Sequence, residues 1–321
     1  MSSHPRAVII HTAHASRAHD EDRERAAIEA QLGFEVPMAR TPAESRTLLA
    51  DAEIAFGAGL SERELEAANS LQWVQAFSSG VDSYPLDSLR ERGIILTNVA
   101  GIHSEPIAEQ ILGYMLMFAR KLHQGGRQQA QPRWERYEGG ELAGKTLGIV
   151  GVGAVGSRLA EFASVLDMTV LGIKRTPETA PDTVDECWGP DDLDALLPKA
   201  DYVALTCPLN EDTRGMIDAD ALAAMHNSAI LINVARGGVV DDYRELEIAL
   251  QQHEIGGAAL DVFPEEPYDL TAPIWGLPNV LITPHMAGSS PRKPDRIAEI
   301  VADNFEKYQA GAHDEMPTRV L

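Results

Sequence analysis

The stretch Lys145-Thr-Leu-Gly-Ile-Val-Gly-Val-Gly-Ala-Val-Gly156 constrains the fold more than any other, because an apolar run enters three glycines spaced Gly-x-Gly-x-x-Gly and leaves as a helix-like segment. Leu147 to Val150 reads as a buried parallel strand that ends at Gly151, where a tight turn is needed. Gly153 has no Cβ, so the backbone can approach a pyrophosphate. Gly156 lets the following helix pack closely on the strand, and the N–H groups at the start of that helix, around Ala154 and Val155, face the phosphates. The spacing also occurs in strand–turn–helix units that bind nothing, so on its own it shows only that a dinucleotide fits.

The rest of the chain repeats the same alternation. Arg6–Ile10, Ala52–Phe56, Leu71–Phe77 and Ile94–Leu96 are strand-like, with helical patterns between them at Asp20–Leu32, after Thr41-Pro42 and after Ser61-Glu-Arg-Glu64, whose spacing is that of a capping box. Ile107, Ile111, Leu112, Met115, Leu116 and Phe118 recur at helical spacing and mark a long helix expected to join two domains. A polar segment rich in glycine and glutamine, 124–140, leads to the fingerprint. Beyond it the strands Met168–Ile173, Tyr202–Leu205, Ala229–Asn233, Gly257–Leu260 and Val280–Ile282 continue, and a last helix spans about Pro291–Gln309. Strands alternating with helices imply an α/β fold with parallel sheets covered on both faces, and 321 residues suffice for two such domains.

The net charge of −22 excludes a nucleic-acid or anionic-membrane surface as the obvious partner, since phosphates would be repelled. No apolar stretch is long enough to span a membrane or to form a secretory signal. Cys187 and Cys207, the only cysteines, lack metal-ligand spacing, so neither a metal site nor a disulfide framework is expected, in keeping with a cytoplasmic protein. Lys121, Lys145, Lys174, Lys199, Lys293 and Lys307 are all the lysines, whereas carboxylates are spread throughout. That pattern suits a salt-rich, halophilic interior, because at about 1 M salt the Debye length shrinks to roughly 3 Å and repulsion between surface carboxylates is screened.

Where the second strand of a dinucleotide-binding unit ends, an acidic residue normally meets the adenine ribose. Here the chain reads Ile173-Lys174-Arg175-Thr176, with two cations and a hydroxyl suited to a 2′-phosphate, although a solvated basic pair is the plainer alternative. Three later segments each follow an expected strand and so fall at the carboxyl edge of one sheet: Asn233-Val-Ala-Arg236-Gly-Gly, Asp261-Val-Phe-Pro-Glu-Glu266-Pro267 and Thr283-Pro-His285. Arginine grips a carboxylate or polarises a carbonyl, histidine moves a proton near neutral pH, and a glutamate beside that histidine stabilises the imidazolium. Taken singly, each also has a structural use as an ion-pair partner, a loop carboxylate or a turn histidine.

Over nearly its whole length the sequence resembles the D-isomer-specific 2-hydroxyacid dehydrogenases. The resemblance lies in Glu141-Leu-Ala-Gly-Lys-Thr-Leu-Gly-Ile-Val-Gly-Val-Gly-Ala-Val-Gly156, Asn233-x-Ala-Arg-Gly-Gly, Asp261-Val-Phe-x-x-Glu-Pro and Thr283-Pro-His285. It implies two Rossmann-like, doubly wound parallel-sheet domains, a discontinuous substrate domain of residues 1–100 and 287–321 around a dinucleotide-binding domain of residues 101–286, and an active site in the cleft between them. It also implies that Arg236 binds substrate, that His285 is the acid/base and that Glu266 is its partner, with Glu265 the competing choice. Ser79, Gly80 and Val81, ahead of Asp82, match a loop whose backbone amides face the substrate carboxylate, although a plain glycine turn after a strand has the same sequence. Thr206, Pro208 and Ala235 match cofactor-lining positions, and Asp261 one that holds the nicotinamide carboxamide. Lys174 departs from relatives that use NAD, which carry an acidic residue there.

The implied activity is reversible reduction of 2-oxo acids to D-2-hydroxy acids, with NADP(H) preferred and NAD(H) the weaker alternative, by a cytoplasmic homodimer whose only other partner is the small-molecule substrate. A glyoxylate or hydroxypyruvate reductase shares the framework. So does a non-catalytic, corepressor-like NAD(P) sensor, which the intact Arg236/Glu266/His285 set disfavours. No regulatory domain is expected beyond Leu321, which weakens phosphoglycerate oxidation as an option. His103 and Trp134 are expected to pack within their loops, and Cys207 to be a small packing residue on the cofactor side.

Overall fold

The computed structural model of the protein describes residues 5–11, 18–57, 59–81 and 83–321; Asp82 lies outside them. The chain divides into two compact units, Met1–Ile102 with Ser290–Leu321, and His103–Ser289.

The first unit holds β1 (Ala7–Ile10), α1 (Ala18–Leu32), β2 (Met38–Ala39), α2 (Pro42–Leu49), β3 (Ile54–Gly57), α3 (Glu62–Ala67), β4 (Trp73–Ala76), α4 (Leu86–Glu91) and β5 (Ile95–Thr97). Its sheet is wholly parallel, in the order β2-β1-β3-β4-β5. Successive strand residues point to opposite faces, and the core divides accordingly. Ile9, Phe56 and Trp73 pack on one side with Ile28 of α1 and with Ile297, Val301 and Phe305, which belong to the unit's C-terminal segment. Val8, Ile10, Ala55 and Val74 pack on the other with Leu49, Leu65 and Leu89 of α2, α3 and α4. Both faces are therefore dry, which explains why these strands read as continuous apolar runs. Two capping boxes start α2 and α3: Thr41 with Glu44, and Ser61 with Glu64. The second is legible from its spacing; the first adds to the proline that opens α2.

The second unit holds α5 (Ser104–Ala119), α6 (Leu122–Ala130), β6 (Thr146–Val150), α7 (Ala154–Val165), β7 (Thr169–Ile173), β8 (Glu186–Trp188), α8 (Leu193–Leu196), β9 (Tyr202–Leu205), α9 (Ala219–Ala224), β10 (Ile230–Asn233), α10 (Tyr243–Gln251), β11 (Gly257–Leu260) and β12 (Val280–Ile282). Its seven parallel strands run β12-β11-β10-β9-β6-β7-β8, so strand order reverses between β6 and β9. That reversal is the place where doubly wound sheets bind ligands, outside the carboxyl ends of the strands. Leu147, Ile149 and Ile232 face α5 and α7, while Val150, Leu205 and Leu231 face α9 and α10. The final helix, α11 (Lys293–Gln309), belongs to the first unit and lies against α1.

The long helix α5 lies within the second unit and starts just after the boundary between Ile102 and His103. Two details are not expected from the sequence. The polar segment 124–140 overlaps α6, which buries no residue and carries Gly125 and Gly126 in its interior, a pair that lowers helix propensity and reads as loop. Edge strands β2 and β8, two and three residues long, are too short to show a period.

Candidate active site

The three glycines of the fingerprint have separate physical duties. Gly151 sits at φ +105°, and a Cβ there would lie 2.6 Å from the backbone nitrogen of Cys207 at the end of β9. A Cβ on Gly156 would lie 2.6 Å from the Gly151 oxygen and 2.9 Å from Ile149 Cγ2, so α7 can approach β6 only as glycine. Gly153 meets nothing within 4 Å, which leaves its backbone open toward the space ahead of α7. Only the first two positions are enforced by the protein's own packing; a Cβ at the third would meet open space.

A cavity of about 220 Å³ lies in that space, at the strand-order reversal, and Gly151, Gly153, Lys174, Arg175, Thr176 and Thr206 are among the residues that line it. The Lys174 ammonium donates one bond to the Val152 carbonyl at 2.6 Å, which ties the end of β7 to the glycine loop and leaves two donors for other acceptors. Arg175 and Thr176 are exposed. On the opposite wall the Thr206 hydroxyl donates to the Gly151 carbonyl at 2.8 Å. Cys207 is buried, and burial pushes its thiol up to about 11, consistent with a packing residue rather than a nucleophile. Pro208, also at this wall, is exposed and accepts a bond from the Thr213 hydroxyl at 2.6 Å.

Arg236 follows β10 in extended conformation, with its guanidinium exposed and one Nη1–H given to the Ala235 carbonyl at 2.7 Å. Buried Asn233 holds this turn from below, accepting from the Ala235 N–H at 3.0 Å and donating to the Arg236 carbonyl at 3.1 Å. A Cβ on Gly237 would fall 2.0 Å from the Phe263 carbonyl carbon, so this glycine lets the Arg236 turn press against the segment after β11.

Asp261, 2% exposed, clamps the loop after β12. One carboxylate oxygen accepts from Met286 N–H at 2.9 Å and from the Thr283 hydroxyl; the other accepts from Ala287 N–H at 2.9 Å. Its own carbonyl takes the His285 N–H at 2.8 Å. Tyr114 of α5 also bonds Thr283. These bonds hold His285 at φ +49°, a left-handed conformation that costs a non-glycine residue about 1–2 kcal/mol. The clamp offsets that cost and fixes where the imidazole is presented.

His285 Nδ1 meets Glu266 Oε2 at 2.7 Å, with the two side chains 52% and 36% exposed. The other Glu266 oxygen accepts from Phe263 N–H at 3.0 Å. Partial burial works against the charged form of Glu266, but the Phe263 bond, the His285 bond and the His285 and Arg236 charges outweigh it and hold the carboxyl below the usual carboxylate range. Between the two adjacent glutamates it is thus Glu266 that reaches the histidine, while Glu265 is exposed. Beside the pair a second cavity of about 370 Å³ is walled by Phe263, Tyr268, Leu270 and Trp275.

In the first unit, Ser79 and Gly80 are exposed and Val81 half-buried on the loop after β4. Each carbonyl of this loop is engaged: Ser78 O by Val99 N–H at 3.4 Å, Ser79 O by the Asn98 side-chain N–H at 2.8 Å, Gly80 O by the Ser78 hydroxyl at 2.6 Å. Among the described residues, the N–H groups of Ser79, Gly80 and Val81 meet no acceptor. His103 is half-buried with Nδ1 3.0 Å from the carbonyl of Gly288, which lies beyond β12 and not on its own loop. Trp134 is 97% exposed and does not pack within its loop. Asn233, Gly237 and Thr283 act as anchors, a role that the sequence alone does not reveal although all three lie inside recognised motifs.

Residues 112–287 match the family model described as D-isomer specific 2-hydroxyacid dehydrogenase, NAD binding domain. The chain belongs to the D-isomer specific 2-hydroxyacid dehydrogenase family. Members of this family are NAD(P)-dependent oxidoreductases, and the two parallel sheets described above are its architecture. The glyoxylate reductase of Thermofilum pendens is 33% identical over 80% of this chain and 76% of its own length. The D-3-phosphoglycerate dehydrogenase of Methanocaldococcus jannaschii is 34% identical over 79% of this chain but 49% of its own, so the chain spans about half the length of that relative. A crystal structure of a family member from Xanthobacter autotrophicus, in complex with NADPH and MES, superposes with a TM-score of 0.79 at 26% identity, covering 99% of this chain and 98% of that one.

Proposed function

We propose that the protein is a D-2-hydroxyacid dehydrogenase that reversibly reduces 2-oxo acids, with NADPH preferred over NADH. The observation that carries the proposal is the His285–Glu266 bond at the carboxyl edge of the same parallel sheet that presents Gly151–Gly156. Because Nδ1 faces the carboxylate, Nε2 is the ring atom left to exchange a proton with the substrate oxygen, and Glu266 both orients the ring and stabilises the imidazolium. Arg236, with one N–H committed to Ala235, keeps further donors to grip the substrate carboxylate and to stabilise negative charge as it develops on the carbonyl oxygen. Ser79, Gly80 and Val81 offer backbone N–H groups to the same kind of carboxylate.

The open face of Gly153 and the Lys174/Arg175/Thr176 wall fit a phosphorylated dinucleotide, which when bound supplies or accepts the hydride. Gly151, Gly153, Ala154, Val155 and Gly156 would hold its pyrophosphate, Lys174, Arg175 and Thr176 its 2′-phosphate, and Thr206, Pro208, Ala235 and Asp261 its remaining length. The Asp261 carboxylate already accepts three bonds, two from backbone N–H groups and one from a hydroxyl, so about one of its four acceptor positions is left for a carboxamide. Each charge-assisted bond is worth about 1.5–3 kcal/mol, so Arg175→Ala should lower the preference for NADPH over NADH about 10- to 100-fold. Equal kcat/KM for both cofactors in the wild-type protein would remove the preference altogether.

NADPH oxidation with glyoxylate, hydroxypyruvate, pyruvate and 2-oxo-4-methylvalerate tests the activity. Turnover of at least one is expected, and binding of NADPH with no turnover of any would instead favour a sensor. The net charge of −22 supports a salt-rich cytoplasm as its setting, and Tm should then rise from dilute buffer to molar salt. Exposed Leu122, Trp134 and Tyr137 support a homodimer, which light scattering on the purified protein tests.

A further inference from the structure

Strand β4 carries a glutamine, Gln75, that is 0% exposed and sits with Thr97 and Asn304, also 0% exposed, within the core of the first unit. A buried amide is costly unless its donors and acceptor are all used, and here they are. Gln75 Nε2 donates to Asn98 O at 2.7 Å and to Ala76 O at 3.0 Å. Gln75 Oε1 accepts from the Thr97 hydroxyl at 2.7 Å and from Asn304 Nδ2 at 2.7 Å. Thr97 in turn accepts from the Trp73 indole N–H at 2.8 Å.

The chain of bonds has a direction. The Asn98 and Ala76 carbonyls can only accept, so the Gln75 NH2 must face them and Oε1 faces Thr97. The Thr97 hydroxyl then donates to Oε1 while its oxygen accepts from the indole N–H, which can only donate. Asn98 is polarised in the same way: its Oδ1 accepts from Ala100 N–H at 3.0 Å, which leaves its Nδ2 for the Ser79 carbonyl at 2.8 Å. A peptide group is planar and trans, so turning the Ser79 carbonyl toward Asn98 aims the Gly80 N–H the opposite way.

We infer that Trp73, Thr97, Gln75 and Asn304 form a buried, directional relay that holds Asn98 and through it fixes the direction of the Ser79–Gly80 peptide N–H, a group proposed above to bind a substrate carboxylate. These are positioning residues; none is assigned a contact with substrate. The inference rests on the proposed role of Ser79, Gly80 and Val81. It explains why a polar network occupies a layer that hydrocarbon would fill more cheaply.

The test uses the full chain with NADPH and two readouts, calorimetric binding of oxalate as a non-reacting carboxylate and KM for the best 2-oxo acid. Gln75→Met keeps length and apolar volume but removes the relay; Thr97→Val is nearly isosteric and serves if Gln75→Met does not fold. Leu89→Ala, which empties the opposite core layer of the same unit, controls for general destabilisation. Both relay variants should weaken oxalate binding and raise KM about 10-fold, the equivalent of roughly one charge-assisted bond, with KM for NADPH within about twofold. Wild-type oxalate affinity in the relay variants, an equal weakening in Leu89→Ala at matched loss of Tm, or no oxalate binding by the wild-type protein would overturn the inference. Failure of the wild-type protein to reduce any 2-oxo acid, with oxalate binding weakened as stated, would overturn the proposed activity and leave the relay supported.

Discussion

Each unit of the protein contains a histidine beside a glutamate, and the two pairs are built for opposite ends. In the first unit His11 and Glu24 are buried, at 8% and 5% side-chain exposure, with Nε2 and Oε2 3.5 Å apart. That separation makes no hydrogen bond, and His11 Nε2 has none among the described residues. Burial lowers the His11 pKa, the Glu21 charge opposes this, and the Arg40 and Lys293 charges add to it, so the ring is held neutral. In the second unit His285 and Glu266 are half in solvent, bonded at 2.7 Å, with the ring in a backbone conformation that Asp261 enforces. Proximity to a carboxylate does not make a proton-transfer group. The bond must be formed, the other ring nitrogen must be accessible, and water or substrate must be able to exchange the proton.

Substitution of the two histidines should separate them most sharply. His285→Ala is expected to lower kcat about 10²- to 10⁴-fold with NADPH affinity within about twofold, whereas His11→Asn should leave kcat within about twofold. Similar losses in both would break the comparison. Steady-state kinetics and a fluorescence titration with NADPH measure the two quantities. A smaller effect distinguishes the neighbouring glutamates: Glu266→Gln should lower kcat about 10- to 10³-fold by loosening the ring's orientation, and Glu265→Gln should change it less than about twofold.

The smallest expected effect is in stability. The folded-state pKa of His11 lies below the 6.5 of an unperturbed histidine, so the unfolded chain binds a proton that the folded chain refuses. Stability contributed by neutral His11 is therefore complete above pH 6.5 and falls as pH drops toward the lowered value. His11→Asn should flatten that part of a Tm-against-pH curve. Glu266, whose pKa also lies below its ordinary 4.5, contributes stability that is present above pH 4.5 and is lost only as pH falls through its lower folded value. A wild-type curve flat from pH 7 to about pH 5 would contradict the account of His11.

Much of the fold and of the site is legible in the amino-acid sequence, for identifiable reasons. Gly151 and Gly156 are forced by backbone contacts that allow no Cβ, so their spacing survives as a readable pattern. Arg236, Glu266 and His285 each follow a strand whose apolar run is plain in the sequence, so their common edge is predictable. The choice of Glu266 over Glu265 is not, because it depends on how the Phe263–Glu266 turn folds back to the Phe263 N–H. Helix α6 is masked because Gly125 and Gly126 in its interior lower helix propensity, so the segment reads as a loop. The relay through Gln75 and Asn304 is invisible along the chain because residues 229 positions apart become partners only when α11 lies on the sheet. Trp134 runs against expectation because an aromatic residue in a loop is usually covered, and this one is not.

The central claim is that the His285 imidazole, oriented by Glu266, hands the proton to the 2-oxo acid. Chemical rescue tests it most directly: His285→Ala, saturated with NADPH and substrate, is assayed with increasing free imidazole. The account predicts a saturable recovery of NADPH oxidation that Arg236→Ala does not share. No recovery in a variant that binds NADPH normally, or equal recovery in Arg236→Ala, would contradict it.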